Sequence, residues 1–545
     1  MSSSSLLRGT FILTLGTYIS RILGMIYVFP FVALVGDQGT ALYAYGYGQY
    51  TIFLSLSTIG VPMAVSKFIS KYNALGDYET SRKMFKTGML LMVGMGIVSF
   101  ILLYSLAPVL APLQLGDDQL GNSVEDVTNV IRMVSFALLI VPIMSVIRGF
   151  FQGNQTMEPT AVSQVIEQLV RIIFLLVSVY FILKVGNGEL STAIGYATFA
   201  AFVGALGGLA VLGWYFLKRR QSLNVLLANS KPNVKISSKE MIKELLTYAG
   251  PFVFVGLAIP LYQYVDQYTL NRTLVENGKR EIAETIFSII QFKAPKLVMI
   301  PVSLATAFGL TLVPAITKAF TDHNGKQLRV QIDQSFQVVY FLTLPAVVGL
   351  ATLSYKFYAM FYNIEELSLG GSLLRWYAPV AILFAFFTVT AAILQGIQKQ
   401  KLAVISLFFG LLLKLVFNIP FITWFGGIGS ILATALGYLG SVVYSVFMIK
   451  RHANYSYRIF IKRAILMSIF ALIMMVGIFL IGGLLQQFID YREGRWEATI
   501  VSIIATVFGA AIYLYLSYRS NLAGKLLGKR FSFLKRKSLA GEKSN

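Results

Sequence analysis

The stretch Leu190-Ser-Thr-Ala-Ile-Gly-Tyr196 returns 242 residues later as Leu432-Ala-Thr-Ala-Leu-Gly-Tyr438. At an offset of 243, Gln152-Gly153 with Gln155 returns as Gln395-Gly396 with Gln398, Arg132 as Arg375, Ser163 as Ser406 and Arg171 as Lys414. Nearer the N-terminus, Val61-Pro62 followed by Ser66-Lys67 is echoed by Val313-Pro314 followed by Thr317-Lys318. Any one match is within the reach of chance. They are collinear, however, and several are polar residues inside apolar blocks, so the chain reads as a duplication.

The duplicated unit is a set of membrane-spanning helices. Of 545 residues, 56% are hydrophobic and 13% charged, and mean hydropathy is +0.70; a soluble chain carries roughly 25% charged residues. Apolar blocks cover 10–35, 42–65, 87–110, 130–150, 160–183, 192–217 and 245–270, then 286–316, 335–355, 373–394, 402–424, 428–449, 464–485 and 498–518. Most match the ~20 residues a helix needs to cross a bilayer. They are continuously apolar, unlike the alternating strands of a barrel. The expected fold is an all-α polytopic membrane protein of about fourteen spans. Two pseudo-symmetric six-helix lobes, 1–217 and 245–450, flank a cytoplasmic linker at 218–244. Two additional helices follow at 451–519, then a basic cytoplasmic tail at 520–545. Because the repeat begins after an even number of spans, both lobes insert in the same orientation, a parallel repeat of the kind transporters use.

The connections set the orientation. With the N-terminus inside, connections and tails on that side hold 31 Lys and Arg against 7 on the other, and positive residues favour the cytoplasmic face. Both termini are therefore expected in the cytoplasm. Arg8 precedes an apolar run too long for a signal peptide and lacking a small-residue cleavage site, which reads as a retained first helix. The formal charge of +22 is accounted for by anionic lipid rather than nucleic acid. Cysteine is absent and the only histidines, His323 and His452, make no ligand cluster, so neither thiolate chemistry nor a metal centre is expected. Prolines 30, 62, 142, 260, 295, 301 and 345 lie in or near spans, where each favours a kink.

Eight bases sit within the apolar blocks: Arg21, Arg132, Arg148, Arg171, Lys293, Lys296, Arg375 and Lys414. Only two acids do, Glu167 and Asp266. A charge at mid-membrane costs at least ~2.5–3.5 kcal/mol and normally faces the bundle interior with a partner. The excess of bases points to water or an anionic substrate. Arg132 and Arg375 lie near outer ends, where the side chain snorkels. Glu167 and Arg171 are four apart on one helix and read as a local ion pair. Arg21, Lys293, Lys296, Lys414 and Arg148 are the candidate substrate-binding residues, with Asp266 and Glu167 as candidates for ion coupling. Tyr43, Tyr45, Tyr47, Gln49 and Tyr50, with Tyr262, Gln263, Tyr264, Gln267 and Tyr268, suit either a sugar-binding face or an interfacial belt.

Ser20-Arg21-Ile22-Leu23-Gly24 resembles the first-span motif of the MurJ-type lipid II flippases, within the multidrug/oligosaccharidyl-lipid/polysaccharide exporter superfamily. Val61-Pro62 and the Gln-Gly-x-Gln turns also resemble its polysaccharide-exporter branch, and the likeness extends over nearly the whole chain, as in Gram-positive members. The resemblance implies a central cationic cavity, alternating access and a groove for a polyprenyl tail near the last two helices. It also implies flipping of undecaprenyl-pyrophosphate-linked peptidoglycan precursor, driven by membrane potential or a coupling cation. Arg21 carries over from the motif. Departures are Tyr27, where the family has a further Arg, the absence of a base within 42–65, and Lys293 and Lys296 where it places an Arg.

The expectation is thus a flippase of the bacterial cytoplasmic membrane, with a lipid-linked anionic oligosaccharide, the bilayer and cell-wall synthesis proteins as partners and no resident cofactor. A flippase for another lipid-linked sugar, or a cation-coupled multidrug exporter, is the alternative; the latter calls for buried acids, of which the spans have two. A membrane glycosyltransferase or polymerase calls for clustered carboxylates, metal ligands or a sizeable extramembrane loop, and the sequence offers none.

Overall fold

The computed structural model describes residues 3–58, 60–115, 121–231, 237–362 and 364–522. Most of the basic tail expected at 520–545, and 232–236 of the linker, lie outside them. All regular structure described is helical. The chain divides into two compact units, Met1–Phe292 and Lys293–Asn545.

The first unit contains α1 (Ser3–Ile26), α2 (Val28–Thr58), α3 (Val61–Ala74), α4 (Tyr78–Leu115), α5 (Val124–Ser135), α6 (Ala137–Gly153), α7 (Glu158–Tyr180), α8 (Leu190–Ala228), α9 (Ser238–Gly256), α10 (Ala258–Glu276) and α11 (Arg280–Ser288). A π-helical stretch, Ile289–Lys293, leads into the second unit, which contains α12 (Ala294–Thr321), α13 (Gly325–Thr352), α14 (Ser354–Phe361), α15 (Leu367–Tyr377), α16 (Val380–Gly396), α17 (Gln400–Phe425), α18 (Gly427–Ala453), α19 (Arg458–Gln486) and α20 (Arg495–Arg519). Repeat and packing divide the chain at different places: α9 packs on α3 and α4, and α10 on α2 and α4, so these helices join the first unit although the repeat places them in the second lobe.

All fourteen apolar blocks fall on helices. Among the described residues, twelve helices are long and apolar enough to cross a membrane. The first and seventh blocks are the exceptions. The first is broken at Tyr27, between α1 and α2, and again at Gly36, which has φ 63°. The seventh breaks at Leu257 into α9 and α10. The breaks at Tyr27 and Leu257 each lie three residues before a proline, Pro30 or Pro260, which cannot donate to the carbonyl one turn earlier. Pro295 follows the π-helical stretch in the same way, whereas α4, α6, α13 and α17 run on through theirs.

The duplication is visible in the backbone. Gln155 and Gln398, 243 apart, both adopt the left-handed conformation, with φ 57° and 58°. The break at Phe136 between α5 and α6 recurs between α15 and α16. Gly153 packs against Ser66 O and Ile69 of α3, and Gly396 against Ile316 and Val313 O of α12. In lipid, helices gain little from hydrophobic transfer and associate through close packing of small residues. Gly149 meets Pro62 O in the same seam, at 2.5 Å from an ideal Cβ, closer than any real side chain comes.

Candidate functional site

In the first unit, the Thr17 hydroxyl of α1 donates to Gln164 Oε1 of α7 at 3.2 Å, and Gly24 lies against Gln168. Arg21 falls between them at i+4 and i−3, on the same helical stripe, and is exposed. One turn along α7 from Gln168 is Arg171. Its Nη2 donates to the buried Tyr43 hydroxyl at 2.9 Å, and its guanidinium lies 5.0 Å from the Tyr47 ring centre, a cation–π arrangement. Tyr43 and Tyr47 stack with centroids 5.3 Å apart.

The ion pair expected between Glu167 and Arg171 is not formed. Glu167 Oε2 instead accepts from Arg148 Nη2 at 2.7 Å, and Arg148 Nε donates to the buried Ser163 hydroxyl at 2.8 Å. The cause is tertiary. Gly204 and Gly208 of α8 pack on the backbone and Cβ of Arg171 and Glu167, fixing the face α7 presents, and α6 brings Arg148 to that face. The fork of the guanidinium serves two acceptors at once. In this state Arg148 and Glu167 are engaged with each other.

Asp266 is buried on α10, 4% exposed, in a helix rich in amides and phenols. Gln267 donates to Tyr45 O at 2.8 Å and to Gln114 Oε1 at 2.7 Å, Gln49 donates to Tyr268 at 2.7 Å, and Tyr268 donates to Tyr264 at 3.1 Å. This network ties α10 to α2 and α4. It also resolves the two readings of these residues: Tyr43, Tyr45, Gln49 and Gln267 form interior polar packing and not an interfacial belt, while Tyr47, Tyr264 and Tyr268 keep part of their surface open.

In the second unit Lys293 closes the π-helical stretch with no exposed surface. Its Nζ lies 2.9 Å from Glu366 Oε2 and donates to the Tyr358 hydroxyl at 3.3 Å. The Tyr362 hydroxyl donates to Lys293 O at 2.8 Å, and both rings lie 5.8 Å from Nζ. Glu366 precedes α15 in what the sequence marks as an acidic outer connection, so a count of acids confined to the apolar blocks misses it. The adjacent Glu365-Glu366 pair was the available signal. Lys296, one turn on, is half-buried. Lys414 is fully buried on α17; its Nζ donates to Ser430 O at 3.0 Å and Thr434 Oγ1 at 2.8 Å, both on α18. Arg132 stacks over the Tyr104 ring at 5.1 Å, and Arg375 is exposed.

Residues 6–320 match the family described as polysaccharide biosynthesis protein, and 251–420 match MatE. The first match spans more than half of the chain. The chain belongs to the polysaccharide biosynthesis protein family. Among family relatives, the lipid II flippase MurJ of Bacillus subtilis is 55% identical over 531 residues, 97% of this chain and 98% of that protein. Stage V sporulation protein B of the same organism is 24% identical over 80% of this chain and 82% of its own. Among solved structures, lipid II flippase MurJ in an inward closed conformation superposes with a TM-score of 0.65 at 15% identity, covering 94% of this chain and 99% of that one. The chain is thus a multi-pass membrane protein with the fold of this family.

Proposed function

We propose that this protein is a transporter of the bacterial cytoplasmic membrane that flips lipid II, the undecaprenyl-pyrophosphate-linked peptidoglycan precursor, from the inner to the outer leaflet by alternating access. The observation that carries the reading is its 55% identity to the lipid II flippase MurJ of Bacillus subtilis across 97% of the chain. The excess of intramembrane bases supports it, because a pyrophosphate moved through hydrocarbon needs cationic partners. Both termini lie in the cytoplasm in this proposal, on the strength of the 31-to-7 distribution of Lys and Arg. Cell-wall synthesis proteins are the partners it implies.

Among the candidate bases, we assign substrate contact to Arg21 and Lys296, which retain accessible surface. Lys293, Lys414 and Arg148 make their hydrogen bonds inside their own unit and are assigned to holding helices in place. Lys293 reaches a phosphate only if Glu366 gives it up. Glu167 is engaged by Arg148; Asp266, buried on α10, is kept as the coupling-ion candidate.

The test is depletion of the protein in its bacterial host, with lipid II facing outward measured directly. Outward lipid II should fall while the inner pool rises. Unchanged outward lipid II alongside accumulation of a different lipid-linked sugar would move the substrate assignment to that sugar. Arg21→Glu should reach the membrane in normal amount and fail to restore flipping; full restoration would remove Arg21 from the site.

A further inference from the structure

The four-residue turn between α18 and α19 closes one end of a cleft of about 1050 Å³. Four bases line it: Lys450 and Arg451 from the last turn of α18, Arg458 from the first turn of α19, and Lys462 one turn further along the same face. All four are exposed, and among the described residues none forms an ion pair. The nearby acid Asp333 accepts from Tyr455 at 2.8 Å and lies 4.0 Å from Arg463, so its charge is already engaged.

Membrane topology calls for bases in such a connection, but it does not call for this arrangement. Lys450 and Arg451 complement the negative end of the α18 dipole. Arg458 does the opposite. It stands at the positive end of α19, whose first turn is capped by no side chain, and there an anion is favoured and a cation is not. The turn is held in shape without these bases. Asn454 takes the left-handed conformation with φ 48°, the Tyr457 hydroxyl donates to Val446 O at 2.9 Å, and Tyr455 and Tyr457 pack against Phe336. The cleft also has an apolar wall: Phe447 and Ile461 are 58% and 52% exposed. A cationic pocket with an apolar wall at the end of membrane-spanning helices matches an amphipathic ligand with an acidic head.

We infer that the cleft between α18 and α19 binds the phosphate headgroup of an anionic membrane lipid, its chains running along Phe447 and Ile461. The same phosphate chemistry is available from an acidic phospholipid or from a polyprenyl pyrophosphate, and the test separates them. The full-length protein, purified and delipidated in a neutral detergent, is titrated with fluorescent-tailed phosphatidylglycerol, polyprenyl pyrophosphate or phosphatidylcholine. The comparison variant carries Lys450→Gln, Arg451→Gln, Arg458→Gln and Lys462→Gln. A control variant loses four exposed bases elsewhere, through Lys326→Gln, Arg329→Gln, Lys399→Gln and Lys401→Gln.

Wild type and control should bind at least one of the two acidic lipids, and the preferred one names the source. The cleft variant, melting as wild type does, should bind it up to roughly a thousandfold more weakly, from about 1 kcal/mol for each of the four bases at a membrane surface. Equal loss in the control variant would make this a net-charge effect and overturn the site. So would equal binding of phosphatidylcholine, or unchanged binding by the cleft variant.

Discussion

Lys293 and Glu366 are an unequal pair, and the inequality has a measurable consequence. At 2.9 Å and an effective dielectric near 20, their attraction is about 6 kcal/mol before desolvation is subtracted. Lys293 has no exposed surface, whereas the Glu366 side chain keeps 24% of its own. Glu366→Gln therefore takes a carboxylate away from an ammonium that water cannot reach, with Tyr358 and two ring faces among the contacts that remain. Breaking a buried pair in this way costs about 3–5 kcal/mol, reduced here by cation–π contacts worth ~0.5–2 kcal/mol. Lys293→Met removes the fully buried member and leaves a carboxylate that solvent and the Tyr358 hydroxyl still reach, so its cost should be about 1 kcal/mol or less. The double variant should recover most of what Glu366→Gln loses. Thermal unfolding of the purified variants in one detergent gives the ranking: wild type and Lys293→Met close together, the double variant just below, Glu366→Gln well below. If Lys293→Met proved the more damaging single change, or the double variant melted no higher than Glu366→Gln, the uncompensated-charge reasoning would be refuted.

Gly370→Ala would put a Cβ 2.0 Å from the Tyr358 ring; separating α14 from α15 should cost about 1–3 kcal/mol, and added Glu366→Gln should cost less in that background than alone. If Asp266 carries the coupling ion, Asp266→Asn should alter how flipping in vesicles responds to an imposed potential or ion gradient; an unaltered response would exclude it. At the start of α9, Glu240 accepts from the Ser237 backbone N–H and hydroxyl, and these bonds, the backbone one first, hold its carboxyl below the ordinary value of 4.5. A depressed folded pKa means that the cap is intact above that value and is lost as pH falls through the lower, folded one. The protection of the first-turn amides of α9, taken relative to intrinsic exchange at each pH, should fall over that acidic window and stay level between pH 6 and roughly pH 8, where the carboxylate stays ionised.

Much of the fold was legible because bilayer residence imposes a simple code. Backbone groups in hydrocarbon must pair within the segment, so continuous apolar runs of bilayer length became helices, and the repeat of Gln155 in Gln398 became a repeat of backbone conformation. Prolines 30 and 260 sit at helix breaks, but Pro142 and Pro345, which lack the same N–H, lie inside continuous helices. The alternating Lys and Arg content was local, and it carries the proposed orientation. What each buried charge faces is not local. Arg171 lies one turn from Glu167, yet α6 delivers Arg148 to that carboxylate and α2 delivers Tyr43 to Arg171. Lys293 found its acid 73 residues away in a connection that composition marks as exterior. Sequence spacing ranks partners on one helix, but in a bundle the partner is chosen by which neighbouring helix approaches closely enough, and here glycines such as Gly204, Gly208 and Gly370 set those approaches.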